Sequence, residues 1–93
     1  MELWIRSQDK EALTKVNMGV MYWKDTDNRD CVVNKDNATG YSILGAYSTK
    51  ERALHILDEI HQLLIDLQTL EIELSAYKTI RRNISCVYEM PEK

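Results

Sequence analysis

The sequence predicts an α+β domain, in which a small antiparallel sheet of order β-β-β-β-α-β carries one long amphipathic helix. Two patterns predict this fold class. Apolar and polar residues alternate in short segments before residue 48 and again after residue 83, as in strands with one buried face. Between them, apolar residues recur every three or four positions in a stretch without glycine or proline, as in a helix. The 93 residues have room for one domain, here 1–93.

The first two strands are predicted from period-two alternation and from residue type. Leu3 and Ile5 fall on one face of a strand over 2–7. After a polar turn, residues 13–23 are rich in β-branched and aromatic side chains and form a second strand, in which Gly19 marks a bulge or a bend.

The remaining strands follow from the same pattern. A strand beginning at 31–33 and another over 41–47 flank a turn that contains Asn and Gly, and this arrangement predicts a hairpin. Residues 1–47 therefore supply most of an antiparallel sheet. Alternation resumes in a final strand over 84–91, which Pro91 closes.

A capping box marks the start of the helix. The hydroxyl of Ser48 can accept a hydrogen bond from the amide of Glu51, whose carboxylate reaches back to the Ser48 amide. Basic residues gather near the other end, where they favour the negative pole of the helix dipole. The helix is therefore predicted over 48–83. Its apolar seam consists of Ala53, Ile56, Ile60, Leu63, Leu67, Leu70, Leu74 and Tyr77.

This helix is too long for the domain that carries it. It would span about 50 Å at 1.5 Å per residue, whereas a compact domain of this size is about 25–30 Å across. A second apolar row beside the seam, starting at Leu54 and Leu57, could not be covered by the same sheet. We therefore expect a homo-oligomer formed through the far part of the seam. The alternative is a break near residues 68–69, which would give a helical hairpin. The predicted interface residues are Leu63, Leu67, Leu70, Leu74 and Tyr77.

Composition excludes some classes of partner. A net charge of −3 and a pI near 5.3 argue against binding to extended nucleic acid, which requires clustered Lys and Arg. No stretch approaches the roughly 20 uninterrupted apolar residues of a membrane span. The first residues also lack the features of a signal peptide. We therefore expect a cytoplasmic protein, with Cys31 and Cys86 reduced.

No catalytic or metal-binding pattern is present in the sequence. His55 and His61 are six residues apart, so they do not share a helix face as a metal-binding pair would. The sequence contains no phosphate-binding loop, dinucleotide fingerprint or nucleophile motif. We therefore predict a protein that is not an enzyme and that binds neither a cofactor nor a metal.

The most suggestive residues for ligand binding lie on the first strand. Trp4 and Arg6 share one face and Gln8 follows, so that an aromatic ring, a guanidinium and an amide stand in one row. Such a row suits a planar or anionic ligand, because Arg can hold phosphate and Trp can stack on a base. Lys50 and Arg52 at the start of the helix form a second candidate anion site. The alternatives are that Arg6 packs on Trp4 through a cation–π contact and that the first helical turn is simply solvated.

Three blocks of the sequence resemble a family of small proteins encoded by phages and prophages of Gram-positive bacteria. They are LWIRSQD at residues 3–9, LGAYSTKERALHILDEI at 44–60 and VYEMP at 87–91, together about a third of the chain. Small phage proteins without enzymatic motifs are often counter-defence factors. A sheet with oligomerising helices is also similar to the architecture of anti-Thoeris and anti-CBASS sponges.

The resemblance therefore implies a protein that acts in the cytoplasm of the host cell. The first hypothesis is a non-catalytic sponge, which sequesters a nucleotide-derived immune signal such as a cyclic nucleotide or a cyclic ADP-ribose. The second is a protein-interaction module, which inhibits a host defence effector or binds a phage-related partner through its helix or a sheet edge.

Overall fold

The computed structural model describes residues 2–16, 18–37, 40–76 and 85–93. It confirms the α+β class with one long helix. The elements in chain order are β1 (Glu2–Arg6), β2 (Leu13–Lys15), β3 (Val20–Lys24), β4 (Asp30–Lys35), β5 (Tyr41–Tyr47), α1 (Lys50–Ala76) and β6 (Ser85–Glu89).

The strands form two small sheets instead of the single sheet expected. Their orders are β2-β1-β6 and β3-β4-β5. The predicted strand over 13–23 is divided accordingly, because β2 belongs to the first sheet and β3 to the second. The division falls at Gly19, whose φ of 146° is a backbone conformation that other residues rarely adopt. Period-two alternation on both sides of this glycine gave no sign that the chain changes sheets there.

The pairing of β1 with β6 also differs from the expected antiparallel sheet. The two strands run parallel, with Leu3 opposite Cys86 and Ile5 opposite Tyr88. Parallel neighbours need a long crossover connection, and here the second sheet and α1 lie in that connection. The other strand pairs are antiparallel, as predicted.

A single core joins both sheets to the helix. Leu3 and Ile5 point inward from β1, as their alternation predicts, and α1 packs along the second sheet. A hydrogen bond from the Tyr88 hydroxyl to the carboxylate of Glu59 (2.6 Å) ties β6 to the helix. The buried core residues that pack together are Leu3, Ile5, Val32, Leu44, Tyr47, Ala53, Ile56, Ile60, Leu67 and Met90.

The helix begins one residue later than the capping box implies. The hydroxyl of Thr49, not that of Ser48, accepts the amide of Arg52 (3.1 Å), and α1 starts at Lys50. It continues without interruption through residues 68–69, so the helical hairpin is wrong. The predicted end of the helix at residue 83 lies outside the described residues. The molecule is elongated, at 50 × 25 × 22 Å.

Candidate binding surfaces

Trp4 and Arg6 lie on the outward face of β1, as the alternation predicts. Each of the two side chains forms a hydrogen bond to a nearby residue. The indole N–H of Trp4 donates to the carboxylate of Glu2 (3.2 Å), and the Arg6 guanidinium donates to the main-chain oxygen of Lys10 (3.1 Å). Arg6 also lies 4.0 Å from the Glu89 carboxylate. Arg6 therefore contacts the turn after β1 instead of forming the cation–π contact considered for it.

Gln8 uses its side chain within the fold. Its amide oxygen accepts the main-chain N–H of Ala46 (2.8 Å), and its amide nitrogen donates to the main-chain oxygen of Glu92 (2.8 Å). Its own main-chain N–H donates to the oxygen of Leu44 (2.8 Å). Gln8 therefore connects the end of β1 to β5 and to the residues after β6.

Lys50 and Arg52 contact different parts of the molecule. The Lys50 ammonium lies 5.1 Å from the centre of the Tyr22 ring, a cation–π contact with β3. The Arg52 guanidinium donates to the main-chain oxygen of Lys93 (3.0 Å) and lies beside the ring of His55. The structure therefore does not bring these two residues together at a single anion site.

Two of the predicted ligand residues instead hold a segment of the chain itself. Three successive main-chain oxygens after β6 each accept one side-chain hydrogen bond: Pro91 from Tyr47 (2.8 Å), Glu92 from Gln8 and Lys93 from Arg52. Burial raises the pKa of Tyr47 to about 12, so its hydroxyl keeps the proton that it donates. The side chains of Gln8 and Arg52, which the sequence suggested as ligand contacts, are therefore hydrogen-bonded to the 91–93 segment.

The predicted interface residues of the helix have different environments. Leu67 is 6% exposed and packs in the core, and Leu63 is half-buried against it. Leu70 is 42% exposed. Leu74 lies on α1, but its side chain and all of Tyr77 are outside the described residues. Internal packing of the seam therefore extends to Leu67, further along the helix than expected.

The outward face of the second sheet carries an apolar and aromatic surface, which we call the outer face. It consists of Met21 and Trp23 on β3 and Tyr41 and Ile43 on β5, which are between 39% and 51% exposed. The rings of Trp23 and Tyr41 stack, with centroids 5.3 Å apart. Val33 lies between the two strands and is 1% exposed. Exposed patches of large apolar residues often mark interfaces.

Sequence reasoning did not identify the outer face, although part of its signal was present. Met21 and Trp23 alternate with Val20 and Tyr22, which predicts that the two pairs face opposite sides of β3. The pattern does not show which side α1 covers. The helix packs on the side of Val20 and Tyr22, so Met21 and Trp23 remain outside.

An apolar groove of about 300 Å³ lies between the start of β3 and α1. Leu57 and Leu64, which belong to the second apolar row of the helix, form one wall, and Val16 and Val20 form the other. Leu54 and Ile65, from the same row, are 38% and 41% exposed. The expectation that the sheet would leave this row partly uncovered is therefore confirmed for these residues. Asp58 and His61 also line the groove.

A smaller, more polar cleft of about 240 Å³ lies beside Gln8. Arg29 lines it, with its guanidinium bonded to the Asp25 carboxylate (2.7 Å). Within the described residues, no group of three or more His, Cys, Asp or Glu side chains could hold a metal ion, and no helix is long and apolar enough to cross a membrane. Cys31 and Cys86 are both free thiols.

No family model matches the chain, and neither a curated protein nor a solved structure shows significant similarity to it.

Proposed function

We propose that this chain is a non-catalytic phage counter-defence protein, which works as a homo-oligomer and inhibits a protein partner by binding it. The observation that carries the proposal is the outer face, where Met21, Trp23, Tyr41 and Ile43 stand exposed together. Trp, Tyr and Met are enriched at protein interfaces, and Trp and Tyr are frequent among the residues that contribute most to affinity. The phage setting rests on the resemblance of the three sequence blocks.

The experiment is a phage plating assay in a host that carries a signal-dependent defence system. The wild-type chain should restore plating, and Trp23→Ser with Ile43→Ser should abolish the effect. Loss of an aromatic residue at such a position costs about 2 kcal/mol or more, or at least a 30-fold loss of affinity.

The chain offers a matched control on the first sheet. Leu13 and Val87 are 48% and 53% exposed, close to the values of 45% and 51% for Trp23 and Ile43. Leu13→Ser with Val87→Ser should therefore leave plating restored. If the control pair and the outer-face pair behave alike, the outer face is not the docking surface.

The second candidate is sequestration of a nucleotide-derived immune signal. The cleft beside Gln8 favours it, because this cleft is more polar than the groove and the cation Arg29 lines it together with Asp9. A thermal-shift screen against cyclic dinucleotides, cyclic trinucleotides and ADP-ribose derivatives tests it, since a ligand at 100 times its Kd adds about 2.7 kcal/mol of stability. The role predicted for Arg6 is tested in the same screen: Arg6→Ala should weaken any binding by about 10- to 150-fold. A screen in which no nucleotide raises the melting temperature rejects sequestration.

A further inference from the structure

We infer that β3 is the strand on which a second copy of this chain docks, pairing antiparallel with its own β3 to join two three-stranded sheets into one of six strands. The inference rests on the homo-oligomer of the proposed function and names the surface that forms it.

The open edge of β3 is the first observation. β3 is one of the two outer strands of the β3-β4-β5 sheet, and the other, β5, is hydrogen-bonded to Gln8. The Lys35 N–H donates to the Gly19 oxygen (2.8 Å), so in the antiparallel ladder alternate residues from Gly19 onward bond to β4. The main-chain groups of Val20, Tyr22 and Lys24 therefore point away from the sheet, and in the described part of the chain they form no main-chain hydrogen bond outside it. Such an edge is a template for another strand.

The space on both sides of this edge is the second observation. An added strand would place alternate side chains above and below the sheet. On one side they would meet the exposed Met21 and Trp23 of the outer face. On the other side they would enter the 300 Å³ groove beside Val20, which lies between the sheet and α1. The outer face offers apolar surface to one set of side chains of an incoming strand, and the groove offers the other set apolar walls with Asp58 and His61 beside them.

Charge complementarity selects a second copy as the occupant. A twofold axis at Tyr22 sets the second copy's Lys24 opposite Val20, with both side chains on the groove side. Asp58 lines that groove, and within the described residues neither Lys24 nor Asp58 forms an ion pair. In the symmetric pair, the Lys24 ammonium of each copy therefore enters the groove of the other copy, where it can pair with the Asp58 carboxylate.

The same register is favourable on the outer face. Met21 falls opposite the second copy's Trp23, and a thioether beside an aromatic ring is an attractive contact. At the axis, Lys50 lies over Tyr22, whose hydroxyl donates to the Asp30 carboxylate (2.6 Å). Tyr22 thus contacts a cation through its ring and a carboxylate through its hydroxyl at the axis.

Sedimentation equilibrium on the full chain tests the inference. The wild type should dimerise in the micromolar range. Lys24→Glu sets like charges together at two symmetric positions and should weaken the dimer at least about tenfold. Adding Asp58→Lys to this variant reverses both charges and should restore the wild-type dissociation constant. Both positions are exposed in the single chain, so circular dichroism should report an unchanged fold.

Lys15→Glu, the same charge change on β2, an edge strand of the first sheet, is the control. It breaks the ion pair of Lys15 with Glu2 (3.2 Å) within the single chain and should leave the dimer intact. A monomeric wild type overturns the inference, as does a dimer that Lys24→Glu leaves unchanged. If that unchanged dimer dissociates on Leu70→Lys, the copies meet through the helix instead. Binding of a protein partner at the outer face is tested separately by Ile43→Ser in the plating assay. Ile43 lies on β5, away from the β3 edge, so this substitution should not affect the dimer.

Discussion

Replacing Gln8 by alanine separates a structural role from the ligand-binding role that the sequence suggested. The side chain accepts the Ala46 N–H and donates to the Glu92 oxygen, both at 2.8 Å. At about 1 kcal/mol for each hydrogen bond, Gln8→Ala should lower the free energy of unfolding by about 2 kcal/mol. In a domain of this size, that loss lowers the melting temperature by roughly 8–16 °C. Differential scanning calorimetry measures both quantities.

Two further variants refine this prediction. Gln8→Glu keeps an acceptor for Ala46 but loses the donor to Glu92, so it should lose stability to an intermediate extent at neutral pH. Gln68→Ala changes an exposed glutamine of α1 and should stay within about 0.5 kcal/mol of the wild type. An unchanged melting temperature for Gln8→Ala, together with weaker binding of a nucleotide, would refute the structural role and restore the ligand contact.

Two other predictions concern the helix cap and the loop after β3. Thr49→Ala should cost about 1 kcal/mol in urea unfolding because it removes the acceptor for the Arg52 amide, whereas Ser48→Ala should cost clearly less; equal losses would contradict the assignment of Thr49 as the cap. The pKa of Asp25 is lowered, first by the main-chain N–H of Arg29 and then by its guanidinium. The resulting stability is fully present above the ordinary Asp pKa of about 4 and is lost as the pH falls through the lower folded value. Asp25→Asn should therefore melt below the wild type at pH 7 and approach it towards pH 2, and a constant difference over that range would show that the carboxylate charge is not responsible.

Local patterns in the sequence predicted the elements of the fold but not their assembly. The alternation of Leu3 and Ile5 gave the inward face of β1, and the spacing of Ala53, Ile56 and Ile60 gave the buried face of α1. Both patterns depend only on the geometry of a single element. The division into two sheets depends on contacts between residues far apart in the chain, and no local period encodes such contacts.

The predicted site residues show a related limit. The alternation of side chains along β1 predicted that Trp4 and Arg6 lie on the same face of this strand, and the structure agrees. Sequence reasoning could not foresee that the 91–93 segment returns to Gln8 and Arg52, because that contact depends on where β6 joins β1. The outer face was missed for a similar reason, since its exposure depends on which side of the second sheet α1 covers.

The parallel pair of β1 and β6 sets an order for folding. β3, β4 and β5 are consecutive strands with short connections to one another, so they can pair early with little loss of chain entropy. β1 can also pair early with β2, but its parallel partner β6 follows α1 in the chain. As the chain leaves the ribosome, we therefore expect the second sheet and α1 to form first. β1 becomes the central strand of the first sheet only when β6 has been synthesised and pairs along its free edge.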